Sequence, residues 1–227
     1  MDYLIKKYID KIQRGESSGF LDPLELKQVI SKLKKNEYNI YSVYEECDKK
    51  ILYKNNIPNV KLYKINSYEK LKHQEIMGSL YSLSIDKSMI GDIIIDEDKY
   101  YFYIIDKMSS YIENSLYMIG NKYVTIEEIN LEELANYKKK YEVKNIIVPS
   151  LRMDAIISKI TNTSRNNSQE LIKNKNVILN YSILKDGSIC LKENDIFSIR
   201  RYGKYKFTKI IKNTKKDNII IEYQKYI

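Results

Sequence analysis

Leu151-Arg152-Met153-Asp154-Ala155-Ile156-Ile157-Ser158-Lys159-Ile160-Thr161, then Asn162-Thr163, then Ser164-Arg165-Asn166-Asn167-Ser168-Gln169-Glu170-Leu171-Ile172-Lys173, sets the reading of the whole chain. Leu151, Ala155, Ile156 and Ile160 fall on one face at helical spacing. Ser168, Leu171 and Ile172 do the same in the second run, and Ser164 stands where a side chain caps a helix start. Two short helices joined by a two-residue connection are therefore predicted. Val177-Ile178-Leu179 follows as a strand and Asn180-Tyr181 as a turn. Ile196–Arg200, Tyr205–Ile211 and 218–223 read as later strands.

The charge of the protein lies in the same region. Residues 151–227 carry 16 Lys+Arg against 7 Asp+Glu, whereas residues 1–150 carry 23 against 23. A segment that holds the entire +9 excess is the electrostatic footprint of a surface that meets a polyanion. Four of the five arginines (Arg152, Arg165, Arg200, Arg201) are there too. Guanidinium offers a planar fork that lysine lacks, so a lysine-rich chain that places arginine here points to phosphate or base recognition rather than bulk charge. The bland alternative is chance clustering of a rare residue.

Upstream, the chain divides into two further pieces. In residues 1–58, Leu4, Ile5, Tyr8, Ile9 and Ile12 form a helical stripe. Asp22-Pro23 opens a second helix with Leu26, Val29, Ile30 and Leu33 inward, and 39–44 and 51–53 read as strands. Residues 59–148 read β-α-β-β-α-β, with 136–150 as a linker at its end in which 145–148 can add a strand. The strands are 60–65, 92–95, 100–105 and 123–126, and the helices 74–83 and 108–119. This is the split βαβ order shared by RNA-recognition domains and by many unrelated proteins. Its third strand, Tyr100-Tyr101-Phe102-Tyr103, is aromatic. Base stacking is one use of such a strand. However, the usual glycine is missing and the chain holds 22 tyrosines, so ordinary packing explains the rings better.

Nothing signals catalysis. His73 is the only histidine and has no placed carboxylate or thiol partner, so a capping or packing role fits it. Asp92 and Asp96 flank a predicted strand, where solvation at strand ends accounts for them. Cys47 and Cys190 fit neither a metal spacing nor a redox pair and read as buried, reduced thiols. No phosphate loop or nucleophile elbow is present, no cofactor is implied, and no apolar run reaches membrane-spanning length. The expected protein is cytoplasmic, monomeric and without membrane contact.

The ordered elements Leu151–Asp154, Ser164-Arg165, Leu171–Asn180 and Leu191-Lys192-Glu193-Asn194-Asp195-Ile196 resemble the alpha-L RNA-binding motif named after the fourth protein of the small ribosomal subunit. With Phe20–Pro23, His73–Leu80, Ile90–Ile95 and Ser198–Phe207, the order looks like the bacterial YlmH family over nearly the whole chain. That resemblance implies an α+β protein of three small modules. These are an N-terminal α/β unit (1–58), an RRM-like, ferredoxin-like βαββαβ domain with linker (59–148) and a C-terminal alpha-L RNA-binding domain (149–227).

The resemblance also implies a non-enzymatic factor that binds rRNA and tRNA on large ribosomal subunits still carrying peptidyl-tRNA, in ribosome-associated quality control of stalled translation. The RNA-binding candidates are Arg152, Ser164, Arg165, Asn166, Lys173, Lys175, Asn180, Arg200, Arg201 and Lys204. Asn176 and Asn194 stand where the family usually has glycine, and asparagine tolerates the left-handed backbone those turns need. Two other function classes remain open at this point. One is an RNA-modifying enzyme, or its targeting subunit, acting on rRNA or tRNA; the other is a cell-division-associated scaffold.

Overall fold

The computed structural model describes residues 2–134, 136–215 and 217–227. It is a mixed α+β protein whose contacts divide it into two compact units, Met1–Lys138 and Lys139–Ile227.

The first unit begins with α1 (Asp2–Gln13), β1 (Phe20–Leu21), α2 (Pro23–Ile30), β2 (Asn39–Tyr41) and β3 (Lys50–Tyr53). The Asp22 carboxylate accepts from the Leu24 and Glu25 N–H groups at 2.8 Å. Glu25 returns the favour to the Asp22 N–H at 3.0 Å, a reciprocal cap that fixes the start of α2. The central elements are β4 (Val60–Asn66), α3 (His73–Ser82), β5 (Ile90–Asp96), β6 (Lys99–Ile105), α4 (Ser109–Ser115), β7 (Met118–Ile119), β8 (Lys122–Tyr123) and β9 (Thr125–Ile129). Their four-stranded sheet runs β5-β6-β4-β9 with every neighbour antiparallel, which is the split βαβ topology. The helix expected over 108–119 is shorter than its apolar spacing implied. The chain leaves helical geometry at Leu116 and reverses through Gly120 (φ 61°), so Met118 and Ile119 form a small hairpin with Lys122 and Tyr123.

Strand alternation gives the central sheet two faces, and both are covered. Tyr63 stacks on Phe102 at 5.4 Å on the helical side, where its hydroxyl donates to Glu113 of α4. On the opposite side Tyr103 packs against Phe20 (5.2 Å) and Tyr44 (6.5 Å) of the N-terminal elements, and Tyr44 meets Tyr137 (5.4 Å). Gly91 makes this possible. A Cβ there would lie 1.8 Å from the Tyr103 ring, so only glycine lets the ring cross β5. Asp92, next to it, accepts the backbone N–H groups of Asp48 (2.7 Å) and Lys49 (3.2 Å), and Lys49 Nζ donates to the Ile90 carbonyl at 2.7 Å. Residues 1–58 thus have a small core of their own (Ile5, Tyr8, Ile12, Leu21, Val29, Leu52), but Phe20, Tyr44, Cys47 and Ile51 belong to the core of the central sheet. The aromatic strand is a packing strand: Tyr100, Phe102 and Tyr103 are buried and Tyr101 is half-buried.

The second unit consists of β10 (Tyr141–Val148), α5 (Met153–Thr161), α6 (Arg165–Lys173), β11 (Val177–Leu179), β12 (Ser182–Ile183), β13 (Ile196–Ile199), β14 (Gly203–Asn213) and β15 (Ile219–Tyr226). The strands form one sheet in the order β10-β15-β14-β13-β11-β12. Residues 141–148, expected within the linker of the central domain, pair along their full length with β15, so the sheet claims them for the C-terminal unit. Val148 is fully buried there beside Ile156, Ile157 and Phe197. The left-handed turn after α6 falls on Lys175 (φ 57°) and not on Asn176, whereas Asn194 (φ 70°) takes the conformation expected of it.

Two outcomes follow from this packing. Gly91→Ala forces the Tyr103 ring out of its slot and should lower stability by about 1–3 kcal/mol or more in denaturant titration. A fragment of residues 139–227 should unfold cooperatively, while one of residues 149–227, lacking β10, should be markedly less stable or unfolded by circular dichroism.

Candidate nucleic-acid interface

Drawn at Lys138/Lys139, the charge division sharpens: 20 Lys+Arg against 22 Asp+Glu in the first unit, 19 against 8 in the second. Within the second unit, α5 and α6 gather the key groups. Met153, Ala155, Ile156 and Ile157 of α5 and Ser168 and Ile172 of α6 are buried and lock the helix pair onto the sheet. Gly187 carries the Lys185–Ser188 turn close to both helices; its Cβ would sit 3.0 Å from Ile172 and 3.1 Å from Asp154. The carbonyls of Gly187 and Ile189 accept the Asp154 and Met153 N–H groups at 3.0 and 2.9 Å, so the start of α5 is closed by protein. The start of α6 faces solvent. Ser164 accepts the Asn167 N–H at 3.2 Å, and the exposed Arg165 and Asn166 occupy the first turn. Exposed N–H groups and the positive dipole end favour an anion there.

Asp154 organises this region. Its carboxylate is only 2 % exposed. Arg152 donates to it through Nε (3.2 Å) and Nη2 (2.8 Å), and Arg165 reaches it through Nη2 at 3.4 Å. The hydrogen bonds from Arg152, with the charge of Arg165 behind them, hold this carboxyl below the ordinary aspartate range against the opposing cost of burial. The same contact raises the affinity of the Arg152 guanidinium for its proton. Two of the five N–H donors of Arg152 serve Asp154, leaving the remainder for an outside acceptor. One buried anion thus fixes two half-exposed cations, and the local net charge is still positive.

Arg152 and Lys173 line one side of a cleft of about 270 Å³ that also takes in Gln169, Lys185 and Gly187. Two carboxylates also line it, Asp154 and Asp186; Asp186 accepts from the Ser188 hydroxyl at 2.7 Å and backbone N–H at 2.8 Å, and these bonds hold its carboxyl below the usual range. Around the C-terminal end of α6 a second cleft, about 290 Å³, is lined by Leu171, Asn176, Arg200, Arg201 and Tyr202. Lys175, in the turn between α6 and β11, is exposed.

The candidates therefore sort by place. Arg152, Ser164, Arg165, Asn166 and Lys173 sit around the helix pair; Lys175, Arg200 and Arg201 lie at the end of α6. Asn180 holds the fold locally, donating to Asp195 (2.8 Å) and accepting the Ile196 N–H (3.0 Å). Lys204 is half-buried, its ammonium 4.9 Å from the centre of the Tyr226 ring and 5.5 Å from that of Tyr181. Asp154 and Lys185 were not singled out from sequence. An aspartate two residues after an arginine at a helix start was the one available signal. His73 is the exposed first residue of α3, and no metal-binding cluster is found among the described residues. Cys47 is buried as expected, but Cys190 is exposed, because it lies in the loop bridged to Arg152 rather than in the core. No helix of the described residues is long and apolar enough to cross a membrane.

Comparison with known proteins adds the following. Residues 56–133 match the family model described as "Putative RNA-binding domain in YlmH". The chain is 28% identical over 160 residues to ribosome-associated protein quality control protein P2 of Bacillus subtilis (strain 168), across 70% of this chain and 62% of that protein, so the match spans under two thirds of that relative's length. A solved structure, cell division protein ylmH from Streptococcus pneumoniae, aligns with a TM-score of 0.49 at 19% identity, over 60% of this chain and 94% of that one. The resemblance to the YlmH family agrees with the family-model match, which covers residues 56–133.

Asp154→Asn separates charge from geometry. By charge alone it should tighten RNA binding, because it removes an anion. If arginine placement governs, affinity for structured RNA falls by about three- to tenfold, ~1 kcal/mol, in filter binding. Because the folded carboxyl titrates below its unfolded value, its contribution to stability is present above about pH 4 and fades as pH falls through the folded value. The acid limb of the melting curve should therefore flatten in the Asp154→Asn variant.

Proposed function

We propose that this chain is a non-enzymatic RNA-binding factor of the ribosome, acting in quality control of stalled translation on large subunits that carry peptidyl-tRNA. In this reading the C-terminal unit is an alpha-L module, and its α5–α6 face grips rRNA or tRNA backbones as a passive clamp. The observation that carries the reading is the Arg152–Asp154–Arg165 cluster on the unit that holds the positive charge. Bidentate, pre-oriented guanidinium suits phosphate oxygens, and a rigid helix pair sets the register of such contacts along a backbone. The relative named for ribosome-associated quality control supports the ribosomal setting. The match of residues 56–133 to a family model described as RNA-binding supports a binding role over catalysis.

Lysine and arginine contacts to phosphate displace condensed counterions, so affinity should fall steeply with added salt. Arg165→Ala and Lys173→Ala should each weaken binding by roughly 1–3 kcal/mol and reduce the salt slope; the melting temperature should stay close to wild type in Lys173→Ala and fall modestly in Arg165→Ala, whose guanidinium helps compensate the buried Asp154. Co-sedimentation tests the setting: wild-type protein should run with large ribosomal subunits, and both variants should shift toward the free fraction. Unchanged sedimentation of the variants removes these residues from the interface.

A further inference from the structure

The central domain presents a problem of its own. Its match to an RNA-binding family covers residues 56–133, yet that segment holds 8 Lys+Arg against 13 Asp+Glu. The sheet face on which related topologies stack bases is closed by Phe20, Tyr44 and Tyr137. Any contact with nucleic acid must therefore be made elsewhere on the domain.

One place has the required chemistry. At the end of β4, a cleft of about 350 Å³ is lined by Asn66, Ser67, Tyr68, Tyr123, Val124 and Thr125. Tyr68 is fully exposed and Tyr123 is 77% exposed. Tyr117, 63% exposed, abuts the lining, since its carbonyl accepts the Val124 N–H at 3.0 Å. Large rings left in water at the mouth of a cleft cost hydration free energy that a ligand can recover. The cleft has a mainly apolar lining with an amide and two hydroxyls at its rim, and every nucleobase combines a π-face with polar edges.

Charge discriminates within the domain. Residues 64–75 and 122–127, which contain the cleft lining, hold Lys64, Lys70, Lys72 and Lys122, half of the domain's basic residues, against three of its thirteen acidic ones (Glu69, Glu75, Glu127). The cleft walls are also tied together. Lys122 Nζ donates to the Lys70 carbonyl at 2.9 Å and to Glu75 at 3.0 Å, so the 67–72 loop and the β7–β8 hairpin are held to one another. Glu75 in turn accepts the Lys72 N–H at 2.8 Å at the start of α3.

We propose that this cleft is a stacking subsite for an unpaired nucleobase, with Tyr68 and Tyr123 as the rings and Lys64, Lys70 and Lys72 for the flanking phosphates. It rests on the RNA-binding reading above but uses a different unit and a different chemistry. The C-terminal unit grips backbones by charge, and the central domain takes single bases by stacking.

The test is titration of the isotope-labelled full chain with hexauridylate, followed by amide chemical shifts. Shifts are expected at residues 66–68 and 123–125, and they should persist in Arg165→Ala, which separates this subsite from the C-terminal face. Tyr68→Ala with Tyr123→Ala should weaken the interaction measured at those amides about tenfold or more, while the paired Phe variants keep it. Shifts confined to residues 139–227, or equal affinity in the Ala and Phe pairs, overturn the proposal. So does an Ala pair that still binds hexauridylate but no longer sediments with ribosomal particles, which assigns the tyrosines to a protein partner.

Discussion

A carboxylate shut away from water beside two guanidiniums is unfavourable to build unless the cations compensate it. Asp154 is almost wholly buried, and its desolvation is offset by the fork of Arg152 and the approach of Arg165. The rest of the C-terminal unit serves this contact. Gly187 brings the 185–188 turn within reach of α5, backbone carbonyls close the start of that helix, and Ile156, Ile157 and Ile172 hold the helix pair on the sheet. In the proposed RNA-binding role, the arginines would have much of their rotamer entropy already lost before binding, which reduces what binding must supply.

The two units divide the labour by charge and by packing. The C-terminal unit is strongly basic, with arginines concentrated near α6, and offers two clefts on either side of that helix's second half. The first unit is slightly acidic and has closed its sheet on both sides, with Gly91 admitting Tyr103 and Asp92 anchoring the 48–49 backbone. An RRM-like topology therefore persists while the surface usually associated with it serves as core. Topology alone does not assign a binding face.

Much of this was legible in the amino-acid order. The helix pair, the Asp22-Pro23 cap, the β-α-β-β-α-β order and the basic C-terminal region all follow from periodicity, capping and charge. What was not legible has physical reasons. Only 145–148 of β10 reads as a strand and the rest as linker, because it is an edge strand with alternating exposure whose partner β15, some seventy residues later, defines it. The separation of residues 1–58 reads as a domain boundary because nothing local reveals that Phe20 and Tyr44 pack on Tyr103. Apolar spacing over 108–119 suits a helix as well as a helix followed by a hairpin, and Gly120 decides between them. In the site, basic residues announce themselves by composition. Asp154 does not, since an acidic residue within a basic segment looks like dilution until its burial and its two partners are seen. Asn180 and Lys204 show the converse, being polar or charged in sequence and engaged by the protein itself in the fold.

The central claim is that the Asp154-organised arginine face touches RNA directly. Ultraviolet cross-linking of the full chain to ribosomal RNA and tRNA, with the adducts mapped by mass spectrometry, tests it most directly. Adducts are expected between residues 152 and 201, around α5, α6 and the turn that carries Arg200 and Arg201. Efficient cross-linking with none in that interval contradicts the account.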